Sequence, residues 1–499
     1  MKNKVNLSIQ AVFIILSFVF FISRIINLTN MPVFVDEAIY IHWSQGMWDG
    51  EKLRLLSLMD GKQPLFMIFA IPSLAIFNDP LFAGRFVSVF AGFFTLLGIY
   101  LFSKEFLNKR TALIGAILYI ISPFTYFYDR LAVADGLLTA IGVWSLYISS
   151  KLIKAKSIKL TFLLGGLFAM GLWTKTPAAF FIILSFLTPL FYLKEKNKFF
   201  YWRSWLFAAV FGFGFYNLLR LSKGFWMIAK RNTDYVYSFK EIIDRGLFNP
   251  LWPNFTSSLS WMLSYLTIGI AVISLLGIIY VALNRHKTGL LLLLWFIVPI
   301  FSGSLISKSF TARYILLSIP FLIIIASILL EKILAHVKKP IFFMLFFIIS
   351  LPAISFNFHL ATDIENAPIP KRERSGYLEE WSSGYGIKEV SDYLINVSKE
   401  KGGAKIYAMT EGYVGTLPDG INIYTNNYKN IESFGIGWPV GSYPKELNEY
   451  LKNGLVFLVV NESRMKLPST DNLKLINKYP KPEGVSGQDF LLFYQYEKN

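Results

Sequence analysis

The sequence predicts a polytopic α-helical membrane protein of about eleven spans, followed by a small C-terminal extracytoplasmic α/β domain. Of the 499 residues, 54% are hydrophobic and 17% are aromatic, and the mean hydropathy is +0.48. Apolar runs long enough to cross a bilayer recur up to Phe358. After that residue, Gly, Pro, Asn, Asp and Lys occur as often as in soluble domains. We therefore divide the chain into a membrane domain, 1–358, and a soluble domain, 359–499.

The N-terminus combines basic residues with a long apolar run. Lys2 and Lys4 precede this run, and no small-residue cleavage site follows it, which predicts a retained first span near 8–27 with a cytoplasmic N-terminus. The basic loops between later runs are typical of cytoplasmic loops. The further spans are predicted near 81–103, 111–128, 135–150, 160–174, 178–193, 204–221, 259–283, 289–306, 314–331 and 340–357.

The segment 64–78 decides the orientation of everything that follows it. It is apolar but short and contains Pro64 and Pro72, so we interpret it as an interfacial helix. Counting it as a span would reverse every later loop and place the basic loops outside. We therefore expect the loop 28–80 and the long loop 222–258 on the outer face of the cell membrane.

The C-terminal domain has the pattern of a small α/β fold. Short apolar runs at 405–409 and 454–460 predict buried strands, and 382–402 predicts a helix between turn signals. A parallel sheet would fit this order of a helix followed by strands. No catalytic motif is visible in the domain.

Charge and composition exclude several function classes. The net charge of +17 comes from basic clusters between apolar runs, so we expect membrane lipids and no nucleic acid as partners. There is no cysteine, and the four histidines, among them the isolated His42, show no paired spacing. We expect no metal site, and a divalent cation cofactor has no support in the sequence. No phosphate loop or dinucleotide fingerprint is present.

The outer loop 28–80 carries the first candidate residues. Asp36 and Glu37 are adjacent, and neighbouring helical side chains face different directions, so one can enter a cavity while the other braces a neighbour. A partly desolvated carboxylate acquires a pKa suited to a general base. A hydrated pair at a helix start is the alternative. Lys62 could hold a lipid phosphate or extend to the headgroups.

Further cations lie at predicted outer ends of spans. Arg130 lies between two carboxylates, Asp129 and Asp135, which could both balance it; a structural salt bridge is the alternative. Lys308 and Arg313 lie close together at a predicted span end and suit a phosphate, although they could be basic residues without a role. Lys175 is a weaker candidate.

Taken together, these segments resemble the polyprenyl-phosphate-sugar-dependent membrane glycosyltransferases of the GT-C fold. The nearest groups are the protein O-mannosyltransferases and the aminoarabinose transferases, which are of the glycosyltransferase family 39 type. Gly61, Gln63 and Thr176 depart from the family pattern, and some relatives have a metal-holding acid where Gly61 stands. The segments that carry the resemblance are 34–40, 61–66, 80–124, 129–139, 171–180 and 312–322.

The resemblance implies inverting transfer of a sugar from polyprenyl phosphate to an acceptor hydroxyl on a protein, lipid or glycan. Asp36 would be the general base, and Glu37 and Asp135 would orient cations or the acceptor. The leaving lipid phosphate would be neutralised by Lys62, Arg130, Lys308 and Arg313. This mechanism requires these side chains to meet in one pocket. A lipid-linked sugar flippase and a membrane glycan ligase or polymerase are the alternative functions.

Overall fold

The fold is taken from a computed structural model that describes residues 8–49, 55–192, 198–485 and 487–497. The basic N-terminus with Lys2 and Lys4 and the basic sequence segment 194–197 lie outside the described residues. Contacts divide the chain into two compact units. The first unit comprises Met1–Asn27, Leu55–Phe66 and Phe86–Asp363, and the second comprises Leu28–Arg54, Met67–Arg85 and Ile364–Asn499.

Helices make up the chain as far as the predicted soluble domain. They are α1 (Ile9–Ile25), α2 (Val35–Asp49), α3 (Leu65–Ile76), α4 (Pro80–Phe106), α5 (Lys109–Ile121), α6 (Pro123–Tyr128), α7 (Ala134–Lys154), α8 (Ile158–Thr174), α9 (Ala179–Leu187), α10 (Lys198–Tyr216), α11 (Trp226–Tyr235), α12 (Phe239–Arg245), α13 (Phe248–Leu283), α14 (Lys287–Ile306), α15 (Ile319–His336) and α16 (Lys339–Thr362). Short 3₁₀ helices lie at Leu56–Asp60, Thr176–Ala178, Thr188–Phe191, Asn217–Leu221 and Ala312–Ser318.

This chain is a multi-pass membrane protein. Among the described residues, seven helices are long and apolar enough to cross a bilayer, namely α4, α7, α10 with its 3₁₀ extension, α13, α14, α15 with its preceding 3₁₀ turn, and α16. The predicted spans near 8–27, 160–174 and 178–193 coincide with shorter apolar helices. The span near 111–128 is divided into α5 and α6 by Pro123, which starts a new helix. The count of about eleven spans stays a prediction.

Local capping explains where several helices begin. The Ser8 side chain accepts from Ala11 N at the start of α1, and Asn108 caps α5 in the same way. Ser238 and Glu241 form a reciprocal capping box at α12.

The segment 222–258, which we expected to be a loop, is mostly helical, because it contains α11, α12 and the first turns of α13.

The second unit contains an open mixed sheet. Its strands follow the order β2-β1-β3-β5-β4, with β1 parallel to β2 and β3, and β5 antiparallel to β3 and β4. The elements of this part of the chain are α17 (Lys371–Arg374), α18 (Ile387–Glu400), β1 (Ile406–Glu411), α19 (Asp419–Thr425), β2 (Ile431–Gly437), α20 (Leu447–Asn453), β3 (Leu455–Asn461), β4 (Leu473–Pro480) and β5 (Phe490–Tyr496).

The sheet agrees with the sequence pattern at its centre and differs from it at one edge. The predicted strands at 405–409 and 454–460 are β1 and β3, which are almost completely buried because they lie inside the sheet. The predicted helix is α18. The sheet is not wholly parallel, because β4 and β5 form an antiparallel pair beyond β3. The predicted domain boundary after Phe358 stays a prediction.

Candidate active site

The carboxylates of the outer loop lie in the first turn of α2, in the second unit. Glu37 is fully buried, and both of its carboxylate oxygens accept hydrogen bonds of 2.8 Å from Arg85. Arg85 also donates to the carbonyl oxygens of Leu28, Met31 and Pro32 at 2.8–3.0 Å. Asp36 is half-buried. Glu37 therefore holds the chain before α2 to the start of α4.

Sequence reasoning missed Arg85 as the partner of Glu37. The residue lies in an apolar segment that we interpreted as a predicted span. An ionisable side chain in such a segment is costly unless it has a partner, and this was the signal that could have identified it.

A second carboxylate contact in this unit involves His42, which lies on α2. Its Nδ1 lies 2.5 Å from Asp419 Oδ1, and the other Asp419 oxygen accepts from Gly415 N at 2.6 Å. The imidazole is one-third exposed, whereas the Asp419 side chain is buried. Asp419 therefore orients the ring of His42. Nothing in the sequence near either residue indicated this pairing, because 377 positions separate them.

Lys62 in the first unit follows a glycine that the backbone requires. Gly61 has φ = +72°, and a Cβ at this position would lie 2.6 Å from Met227 O and 2.9 Å from Arg231 Cβ. The backbone conformation and the close neighbours therefore require a glycine at this position. The neighbouring Asp60 lies 3.9 Å from Lys62 Nζ and 3.0 Å from Arg231 Nε.

Four distant segments meet around Lys175 in the first unit, and we call this group the Lys175 cluster. Lys175 Nζ lies 2.7 Å from Asp135 Oδ1 and 4.6 Å from the centre of the Tyr314 ring. Arg313 Cζ lies 5.5 Å from the same ring. Gln63 Nε2 donates to Thr176 Oγ1 at 2.9 Å. The cluster consists of Gln63, Asp135, Lys175, Thr176, Arg313 and Tyr314.

Arg130 is bound to the C-terminal end of α1. Its guanidinium donates to the carbonyl oxygens of Arg24, Ile26 and Asn27 at 2.7–2.9 Å, and so satisfies backbone groups that a helix end leaves unpaired. The two carboxylates expected to balance it bind other cations. Asp129 binds Arg24 at 3.3 Å, and Asp135 binds Lys175.

Lys308 and Arg313 have different surroundings despite their proximity in sequence. Lys308 Nζ donates to Thr233 O and to Glu241 Oε1, both at 2.9 Å. This hydrogen bond, together with the capping contacts of Ser238, lowers the pKa of Glu241 to about 2. Lys308 therefore connects its segment to α11 and α12, whereas Arg313 belongs to the Lys175 cluster.

Within the described ranges, no group of three or more His, Cys, Asp or Glu side chains could hold a metal ion. Glu37, Asp129 and Asp135 bind cationic side chains, and Asp419 binds His42. The prediction that Asp36 shares one pocket with the candidate cations stays a prediction.

Solved structures resemble this chain over almost its whole length. A crystal structure of ArnT from Cupriavidus metallidurans bound to undecaprenyl phosphate matches with a TM-score of 0.58 and 12% identity, covering 96% of this chain and 97% of the other. The apo oligosaccharyltransferase of Archaeoglobus fulgidus matches with a TM-score of 0.54 and 13% identity, covering 92% and 70%. This chain has the GT-C fold.

The sequence comparisons cover a smaller part of this GT-C chain. Residues 62–213 match the family model described as dolichyl-phosphate-mannose-protein mannosyltransferase. No curated protein sequence matches the chain. The matched range includes Lys62, Arg130, Asp135 and Lys175, and it leaves out Asp36, so the family model covers these three cations and not the candidate base.

Proposed function

We propose that this GT-C chain transfers a sugar from a polyprenyl-phosphate donor to an acceptor hydroxyl on the outer face of the membrane, with inversion at the anomeric carbon. The matched family model is named for a dolichyl-phosphate sugar donor. Undecaprenyl phosphate is bound in the ArnT structure, and dolichol-phosphate is bound in a structure of the Archaeoglobus fulgidus enzyme AglB, which matches with a TM-score of 0.52. A phosphate on a long isoprenoid is common to all three.

The observation that carries the proposal is the spare hydrogen-bonding capacity of Lys175. Its ammonium has three N–H donors, and Asp135 is its one hydrogen-bond acceptor among the described residues. The Lys175 side chain is 24% exposed. Asp135 and the ring of Tyr314 hold the ammonium in place, so the remaining donors are preorganised for an anion.

We assign the leaving lipid phosphate to Lys175, Arg313 and Lys62. Arg313 brings a second cation to the Tyr314 ring, and a guanidinium can bind two phosphate oxygens at once. Lys62 directly precedes Gln63, which is anchored to the residue after Lys175. Positive charge at this position stabilises the negative charge that develops as the sugar–phosphate bond breaks.

We assign structural roles to three other predicted site residues. Glu37 anchors the start of α2 through Arg85, and Asp135 positions Lys175. Arg130 completes the end of α1. Lys308, paired with Glu241, acts on the phosphate only through its longer-range field.

We assign the general base to Asp36. It takes the proton of the acceptor hydroxyl while that oxygen attacks the anomeric carbon. The bond between the anomeric carbon and the phosphate oxygen breaks, and the polyprenyl phosphate leaves with the electron pair. Asp36 suits this role because it is a half-buried carboxylate in the first turn of α2.

Asp36→Asn tests the proposal in membranes supplied with a panel of undecaprenyl-phosphate sugars. We expect release of undecaprenyl phosphate to fall by about 10²–10⁴-fold, the usual contribution of a general base. Asp392→Asn, on the exposed face of α18, is the matched control and should retain full activity. Full transfer by Asp36→Asn would contradict the base assignment. Movement of the lipid-linked sugar across the bilayer without transfer by the unaltered protein would instead identify a flippase.

A further inference from the structure

The parallel strands of the second unit end at one edge of the sheet. β1 ends at Glu411, β2 at Gly437 and β3 at Asn461. In the order β2-β1-β3, the connections leaving β1 and β2 run to opposite sides of β1. Such a reversal opens a crevice between β1 and β3 at the carboxyl ends of the strands, which is where open α/β sheets bind ligands.

The floor of this crevice is a buried polar network. Asn461 donates to both oxygens of Glu411, from its backbone nitrogen at 2.8 Å and from Nδ2 at 2.7 Å. Lys481 Nζ donates to Asn461 Oδ1 at 2.6 Å and lies 3.7 Å from Asp489. Burial lowers the pKa of Lys481 to about 8, so the ammonium stays mostly protonated at neutral pH. The network is rigid because its buried polar groups satisfy one another.

Arg464 lies three positions after the end of β3, and its hydrogen-bond donors have no acceptor. The guanidinium carbon lies 3.9 Å from the ring centre of Trp381 and 4.8 Å from that of Trp438. Its nearest carboxylate oxygen, on Glu411, is 3.9 Å away, which is longer than a hydrogen bond. The guanidinium makes no hydrogen bond to any described residue, so its planar fork of donors remains available to a ligand.

One of the two rings beside this guanidinium is exposed. Trp438, directly after β2, is 62% exposed, and the loop after β1 carries a second exposed ring, Tyr413, at 69%. The loop lies close against β2, because a Cβ on Gly435 would lie 1.4 Å from Gly412 O. An indole that lies against an arginine and remains 62% exposed offers a flat surface for a ligand.

We infer that the carboxyl edge of this sheet binds a neutral saccharide, namely the glycan portion of the acceptor. The open face of Trp438 suits the C–H groups of a pyranose ring, which carry partial positive charge, and the donors of Arg464 suit hydroxyl oxygens. Two cations, Arg464 and Lys481, face three carboxylates, Glu411, Asp489 and Glu380, so the crevice has no excess positive charge to select an anion. Only the identification of this saccharide as the acceptor depends on the proposed function.

Saturation-transfer NMR on the full chain in nanodiscs tests the binding without donor or turnover. The probes are maltohexaose, cellohexaose and mannohexaose. We expect at least one to bind, and Trp438→Ala to weaken it by about tenfold, the equivalent of 1.4 kcal/mol of stacking. Arg464→Lys keeps the charge and removes the planar fork, so it should weaken binding as well. If Trp438→Ala does not fold, the binding measured for Arg464→Lys tests the inference.

Two variants are matched controls. Trp252→Ala removes a tryptophan of similar exposure, 64%, from α13. Lys405→Gln removes a cation that lies 4.6 Å from the Tyr407 ring at the opposite end of β1. Neither should change saccharide binding.

Three results would overturn the inference. The first is no saturation transfer to any of the three probes, and the second is binding by the Trp438 and Arg464 variants as tight as by the unaltered protein. The third is binding of oligogalacturonate or inorganic phosphate without binding of any neutral probe. Because the assay contains no donor, each of these leaves the proposed transfer reaction intact. Conversely, full activity of Asp36→Asn would leave the saccharide site intact.

Discussion

Two cation–carboxylate pairs of this GT-C chain show how similar residues serve different purposes. Arg85 and Glu37, in the second unit, are at most 1% exposed, and the guanidinium also binds three carbonyl oxygens. Lys175 and Asp135, in the first unit, make a single hydrogen bond, and Lys175 remains 24% exposed. The first pair is saturated and holds the backbone, whereas Lys175 keeps N–H donors that no described residue accepts. Under the proposed function, this spare hydrogen-bonding capacity, more than charge, distinguishes Lys175 from the structural Arg85.

The largest effect is expected from breaking the saturated pair. Arg85→Met leaves the Glu37 carboxylate buried without its cation, which destabilises proteins by about 3–5 kcal/mol. We expect a large loss of folded protein and a lowered Tm in detergent. Arg220→Met removes an exposed arginine that lies 5.1 Å from the Phe225 ring and should leave the Tm nearly unchanged. If the Tm of both variants falls by the same amount, the pair of Arg85 and Glu37 does not anchor the start of α2.

The next largest effect is expected at the pair of Lys175 and Asp135. Lys175→Gln can still donate to Asp135 but has no charge for a phosphate. We expect the transfer rate to fall by about 10²–10³-fold, as for other electrostatic stabilisers of a transition state, with a much smaller Tm change than Arg85→Met. Lys388→Gln, on the exposed face of α18, is the control for loss of a lysine. A lowered Tm with an unchanged transfer rate would show that Lys175 has a structural role and does not bind the phosphate.

The smallest effect concerns the exposed pair of Lys308 and Glu241. The pKa of Glu241 is lowered to about 2 from its usual 4.5, so the unfolded chain binds its proton first as the pH falls. The pair therefore stabilises the fold above pH 4.5, and this contribution disappears as the pH falls toward 2. Glu241→Gln should unfold with a shallower dependence of Tm on pH across that window. A parallel pH profile for both proteins would show that the pair is immaterial to stability.

The candidate residues were visible in the sequence, but their partners were not. Arg130 stood between two carboxylates, yet it binds the end of α1, since the chain packs a helix terminus against it. Lys175 was a weak candidate because TKTP reads as a polar turn, and only its contacts with Asp135 and Tyr314 distinguish it. Arg85 was concealed inside an apolar segment. Ion-pair partners from distant segments leave no local pattern.

The sequence by itself determined the properties that depend on neighbouring residues. Runs of apolar residues specified membrane helices, and the buried strands β1 and β3 followed from short apolar runs between turns. Tertiary structure alone decided the antiparallel edge of the sheet, the division of the chain into units and the partners of Glu37 and Asp135. The physical reason is that hydrophobic periodicity is read along one segment. A hydrogen bond between side chains, in contrast, depends on which segments the whole chain brings within about 3 Å.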